Sequence, residues 1–252
     1  MDALISTVIS WYQDPMFLQF LIATSVLGVV AFLIMATPWT LLAWFDPDWA
    51  KPYKTQDKPF DVQRYIGKNM RLIGFNSSVV FVLLVAAWPL IRLGGVHAGP
   101  TPPWYEFIWQ IAFFIFLDDF LYYWMHRKMH ENKWLLKNVH SVHHQIRNPS
   151  AIAGNYFHWA ELGLTAGLAL LGPLLLSSHI YVVYAWFVLR QWEAVDGHAG
   201  YTFKWNPIAL LPFYHGAKFH DLHHETYKGN YAGFLPIWDK VFKTETRPGA
   251  NH

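Results

Sequence analysis

The residues of this chain that could do chemistry are its histidines. There are 14 of them and no cysteine, and 12 lie between His126 and His224. They come in groups. His126 and His130 form an i, i+4 pair; His140, His143 and His144 stand at i, i+3, i+4; and His220, His223 and His224 repeat that spacing. Positions three and four apart share a helix face, so each group is expected to aim its imidazoles at one point. Neutral imidazole binds zinc, iron, copper and nickel. These eight imidazoles exceed what a tetrahedral zinc, or an octahedral iron with open positions, can use. Two metals are therefore expected. His198 and His158 are candidates to complete the set. His97 and His252 read as loop and terminus, and His179 reads as interfacial. His215 precedes His220 by five residues, which is off its face, and is held as an outside candidate.

Carboxylates accompany these groups: Asp118, Asp119, Glu161, Glu193, Asp196 and Asp221. A metal-bound imidazole usually donates its other ring N–H to a carboxylate or carbonyl. That orienting role is expected above all for Asp119 and Asp196, while Glu131 and Glu225 read as capping or surface groups. The absence of cysteine excludes disulfides, thiolate zinc, iron–sulfur clusters and a cysteine nucleophile. No catalytic side chain is expected beyond the metal centre itself.

The elements that position these groups are apolar. Only 14% of residues are charged, against about 25% in an ordinary soluble domain. Residues 16–45 carry no charge, residues 72–91 form a second uncharged run, and residues 104–125 a third, rich in Phe and Ile. Residues 162–189 form a fourth, interrupted at Gly172-Pro173 and at 177–179, which reads as one broken span or a hairpin of two shorter helices. About 20 apolar residues cross a bilayer. Pro38 marks a kink or the exit of the first span. Met1-Asp2-Ala3 has no basic stretch, so no cleaved signal peptide is expected.

Residues 46–71 carry six Lys or Arg, residues 93–104 carry neither, and the segment after the third run is basic again. By the positive-inside rule the basic loops and the His-rich regions face the cytoplasm. The net charge of +2 is too small to suggest nucleic acid as a partner. The fold expected is an all-α integral membrane protein with about four transmembrane helices and a cytoplasmic, helical, His-rich cap holding a dimetal site. Residues 1–104 would form the N-terminal spans and basic loop, and residues 105–252 the catalytic region with further membrane helices.

The pattern HisX3His, HisX2HisHis, HisX2HisHis at the ends of spans resembles the fatty acid hydroxylase/sterol desaturase superfamily. Residues 193–201 (EAVDGHAGY), 211–214 (LPFY), 220–224 (HDLHH), 228–232 (KGNYA) and 238–245 (WDKVFKTE) resemble most the C-4 methylsterol oxidases within it. The resemblance implies a membrane-bound, non-haem di-iron oxygenase of the region from about Tyr105 to Glu245. It implies His126, His130, His140, His143, His144, His220, His223 and His224 as iron ligands, with His198 as an additional ligand and His158 near the site. Zinc could replace iron in the same imidazoles without redox activity.

The implied reaction is O2-dependent hydroxylation of a lipid C–H bond, with the C-4 methyl group of a sterol as the first expectation. A fatty acid or other lipid hydroxylase or desaturase of the same superfamily is the alternative. No side chain cleaves such a bond, so a redox cofactor must. Electrons would come from a separate donor of the cytochrome b5 or ferredoxin type, in a bacterial inner membrane or an endoplasmic reticulum. A membrane zinc hydrolase would ordinarily show a HisGluXXHis motif. A metal transporter would place ligands inside the spans rather than at their ends.

Overall fold

The computed structural model describes residues 2–204, 206 and 213–247. Leu211 and Pro212 of the resemblance, and His252, lie outside the described residues. Helix α1 (Asp2–Tyr12) leads into α2 (Pro15–Phe45), then α3 (Val62–Leu93) and α4 (Trp104–Glu131). The short α5 (Lys133–Leu135) runs into a π-helical turn, Leu136–His140. Two 3-10 turns, His143–Gln145 and Ala151–Asn155, precede α6 (Trp159–Leu175) and α7 (Ile180–Gly197). Helices α8 (Gly216–Thr226) and α9 (Ile237–Val241) follow. The described residues hold no strand beyond two isolated bridges.

Helices α2, α3 and α4 are each long and apolar enough to cross a membrane. Asp14 caps α2 through the Met16 amide, with Pro15 at the first helical position, where its missing N–H costs nothing. Pro38 does not end the helix, which continues to Phe45. Leu18, Ile22, Val26, Val30 and Ile34 repeat every fourth residue and are exposed. A face of that kind suits a hydrocarbon solvent rather than water.

The fourth apolar run is two helices. α6 ends at Leu175, Ser177 takes a left-handed φ of 48°, and α7 restarts at Ile180. His179 is buried at the start of α7, accepting from the Tyr181 amide at Nδ1 and contacting the Gly99 carbonyl at Nε2. The expected single-file count of four spans thus becomes three long helices plus a short hairpin. The hairpin closes on itself where the Trp186 indole donates to the Ala169 carbonyl, 2.9 Å away.

One end of the bundle gathers the basic loop and the His-rich segments. Asp61 accepts from the Arg147 and Asn148 amides, Lys58 pairs with Glu225, and Thr202 donates its amide to Tyr53. Two buried asparagines on one face of α3 anchor the segment that precedes α6. Asn69 donates to the Ile152 carbonyl and Asn76 to the Phe157 carbonyl. Gly154 in that segment lies against the Ala194 carbonyl, where an added Cβ would stand 2.4 Å from the oxygen. Only glycine permits so close a backbone approach. The result is a cap clamped onto α3 and α7.

Candidate metal centre

Nine imidazoles meet in the cap in two groups. His126, His130, His140, His144 and His223 form one; His143, His198, His220 and His224 form the other. The sequence expectation that each group of histidines converges on one point is corrected here. His140 and His144 go to the first cluster while His143 goes to the second. His220 and His224 go to the second while His223 goes to the first. The cause is helical geometry. A step of four overshoots a turn by about 40° and a step of three falls short by about 60°, so i+3 and i+4 partners diverge enough to serve opposite sides. The π-helical turn, with the Ser141 amide bonded to the Leu136 carbonyl, shapes the approach to His143.

In both clusters the Nε2 atoms face one another. His140 Nε2 lies 2.9 Å from those of His130 and His144, and 3.1 Å from that of His126. His223 Nε2 lies 3.1 Å from that of His144. In the second cluster His198 Nε2 is 3.3 Å from that of His143, and 3.2 Å from those of His220 and His224.

The opposite ring nitrogens decide what these contacts are. Nδ1 of His126, His143, His198, His223 and His224 lies 2.7–3.2 Å from the carbonyls of Tyr231, Tyr156, Ala194, Gly229 and Ile146. His140 Nδ1 lies 2.7 Å from Glu161 Oε1. A carbonyl only accepts, so Nδ1 carries the proton and Nε2 presents a bare lone pair. Facing lone pairs repel unless a cation lies between them. A metal bound to nitrogen at about 2.1 Å sets neighbouring ligand atoms about 3.0–3.4 Å apart, which matches the spacing here. The donor set therefore fits metal ions.

Electrostatics agree. Burial pushes His143, His144, His220, His223 and His224 well below the ordinary imidazole range, and the neighbouring imidazoles add to the effect. Burial takes His198 down to about 4. The neutral, ligating form is thus the resting form.

Of the six carboxylates, Glu161 alone contacts one of these histidines through a hydrogen bond among the described residues. Asp119 stands seven residues before His126, about 10 Å lower on the helix axis. It accepts instead from the amides of Gly233, Phe234 and Leu235. Asp196 accepts from the Tyr214 hydroxyl and from Asn206. Asp221 lies against Thr55 and Gln56, and burial raises it to about 7. Asp118 and Glu193 flank Arg190. Glu131 and Glu225 pair with lysine or arginine at the surface, as expected.

His158 is outside both clusters. It caps α6, its Nδ1 accepting from the Ala160 amide. His215 precedes α8 and His97 lies in the loop opposite the cap, and neither joins a cluster. The sequence reading missed the loop 229–235, whose Gly229 and Tyr231 carbonyls orient His223 and His126. Asp119 holds one end of this loop. Asp239, accepting from the Tyr231 and Ala232 amides, holds the other. Gly229 takes a φ of 69°, which favours glycine.

A cavity of about 170 Å³ opens beside His198 and His220 and descends between α2, α3, α6 and α7. Val80, Leu84, Leu162, Leu170 and Phe187 line its length. Tyr122, Asn155, Arg190, Gln191 and Glu193 ring its upper part. On the outer surface a second opening reaches His144 between Lys133, Lys137, Arg147 and Tyr227.

Residues 111–244 match the fatty acid hydroxylase family. Methylsterol monooxygenase 2-2 of Arabidopsis thaliana is 40% identical over 179 residues, covering 69% of this chain and 67% of that protein. A very-long-chain aldehyde decarbonylase of Oryza sativa subsp. indica is 38% identical over 180 residues, covering 70% and 67%. Methylsterol monooxygenase 1-3 of Arabidopsis thaliana is 31% identical over 225 residues, covering 87% and 75%. No solved structure matches.

Proposed function

The chain belongs to the fatty acid hydroxylase family, a family of non-haem iron enzymes, and from that premise we propose that it is a membrane-bound lipid monooxygenase. One observation carries the reading: nine imidazoles, eight of them buried and His130 half-buried, converge as two adjoining groups, and the second opens onto an apolar cavity. Two iron ions are the proposed occupants, one in each group. Bound iron supplies the one-electron reactivity toward O2 that side chains lack.

The chain's own residues do the rest. The backbone carbonyls and Glu161 fix the tautomers of six of the imidazoles, those of His126, His140, His143, His198, His223 and His224. Leu84, Leu170 and Phe187 hold a lipid in a dry slot and keep water from the reacting carbon. The proposed substrate is a sterol, oxidised at a C-4 methyl group, in keeping with the likeness to the methylsterol monooxygenases. A long-chain aliphatic substrate is the second reading, favoured by the likeness to the aldehyde decarbonylase. The cap would face the cytoplasm, where the basic opening at His144 suits an acidic electron donor of the cytochrome b5 or ferredoxin type.

The test is metal analysis of the purified protein, O2 uptake with a chemical reductant, and lipid mass spectrometry of cells with and without the chain. Iron-dependent O2 uptake with loss of 4-methylsterols is the expected result. Uptake with changed aliphatic lipids would move the reading to the second substrate. Activity with zinc and no O2 uptake would replace it with hydrolysis.

A further inference from the structure

The upper part of the cavity has a polar composition that the apolar walls below do not share. At its centre is Arg190, whose side chain is only 13% exposed. Its Nε lies 3.3 Å from Asp118 Oδ2, and its Nη1 donates to Glu193 Oε2 over 2.9 Å. The guanidinium also sits over the rings of Tyr122 and Phe234. Two carboxylates thus face one cation in a buried setting. Asp118 has no hydrogen-bond partner of good geometry at either oxygen. Among the described residues, Glu193 Oε1 takes part in no hydrogen bond, and Glu193 lines the cavity. The site therefore has acceptors to spare and a surplus of negative charge. A buried acceptor without a donor is costly, and a second anion brought beside it is repelled.

Position adds to composition. Glu193 precedes His198 by five residues on α7, about 7.5 Å along the axis. It thus stands next to the metal end of the cavity rather than at its far end. We propose that Glu193 recognises the hydroxyl of a neutral lipid alcohol whose oxygen lies close to the carbon presented to His198 and His220. The inference rests on the lipid-oxygenase reading and narrows it: the ligand donates a hydrogen bond, and free fatty acid anions are rejected. Arg190 positions the carboxylate, and Asp118 holds Arg190.

The test is equilibrium binding to the purified full chain in detergent, without turnover, using radiolabelled 4-methylcholestanol, its 3-deoxy analogue and stearate. The alcohol is expected to bind about tenfold tighter than the deoxy analogue, the ratio for one hydrogen bond to a charged acceptor. Stearate should bind weakest. Glu193→Ala should erase the preference for the alcohol, and Glu193→Gln, which keeps an acceptor, should restore part of it. Metal content should be the same in all three proteins, which a general defect of the cap would not allow. Equal binding of alcohol and deoxy analogue by the unaltered protein overturns the proposal, and needs no variant that folds. So does a preference that survives Glu193→Ala. If neither sterol binds, the sterol reading fails by itself, and octadecanol against octadecane then tests the hydroxyl alone. A Glu193-dependent preference for octadecanol upholds the inference; equal binding ends it.

Discussion

His143 and His223 are exchanged between the two clusters: each points into the group that is otherwise supplied by the other's neighbours. His143 joins His220 and His224, and His223 joins His140 and His144. The two middle histidines of the HisX2HisHis segments therefore tie both segments to both metal positions.

Changing either residue should empty one position rather than both. His143→Ala and His223→Ala are each expected to lower bound iron from about two per chain toward one after reconstitution, with activity lost. The double variant should fall toward zero. Elemental analysis of the purified proteins reads this directly, and full loading in both single variants would contradict the ligand assignment.

Glu161 is the carboxylate that orients a cluster histidine, through His140 Nδ1 at 2.7 Å. Removing such a partner typically costs 10–100-fold in metal affinity. Glu161→Ala should release iron to a chelator at correspondingly lower concentration. Glu161→Gln keeps an acceptor for the ring N–H, so it should fall between the two. A chelator titration that leaves Glu161→Ala unchanged would show that the ring needs no such support.

The buried imidazoles make the metal-free cap acid-sensitive. In the unfolded chain an imidazole takes a proton near pH 6.5, whereas burial holds His198 near 4 and several others below the ordinary range. Between these values the unfolded state binds more protons, so stability falls as pH drops. The metal-free protein should melt several degrees lower at pH 5.5 than at pH 7.5. Bound metal, which occupies the same lone pairs, should flatten that difference.

Asp119 offers a test of the loop that carries the Tyr231 carbonyl. Asp119→Ala would leave three amides, of Gly233, Phe234 and Leu235, without their acceptor. Each buried unmet donor costs about 1–3 kcal/mol, so a loss of roughly 3 kcal/mol or more is expected in thermal or denaturant unfolding. Iron affinity should fall with it, because His126 loses a fixed partner.

Gly28 faces the cavity from α2, and a Cβ built there meets only Gln191 Nε2, at 3.8 Å. Gly28→Leu is therefore expected to fold and to narrow the slot. Turnover of a ring-bearing lipid should drop about tenfold or more while metal content stays unchanged. A straight-chain lipid should suffer less. Equal effects on both substrates would mean that the slot does not select by width.

Much of this architecture is legible in the residue pattern. The apolar runs gave the spans because hydrocarbon demands uninterrupted apolar faces. The spacing of His126, His130, His140 and His144 gave a metal site because imidazoles four apart on a helix converge. What remained hidden was long-range. The i+3 and i+4 offsets separate His223 from His224, but which cluster each one joins depends on segments distant in the chain. The orienting carbonyls of Tyr231 and Gly229 belong to the backbone and have no residue type to read. Asp119 serves the amides of Gly233, Phe234 and Leu235 instead of an imidazole, a pairing across 114–116 residues that local spacing does not show. The break between α6 and α7 was visible at 177–179, whereas α6 runs through Gly172-Pro173 to Leu175; the choice of hairpin over broken span needed the packing of Trp186 on Ala169.

The crossing of the histidine segments also has a consequence for how the molecule is made. Helices α2, α3 and α4 leave the ribosome and can enter the bilayer while α8, with His220, His223 and His224, is still to be synthesised. The first cluster needs His223 and the second needs His220 and His224, so neither ligand set is complete until that point of translation has passed. Metal capture is then a late event of biogenesis, reserved for chains already inserted and translated past His224. A truncated product would keep its spans in the membrane but could assemble no complete centre, and so would be anchored and inert.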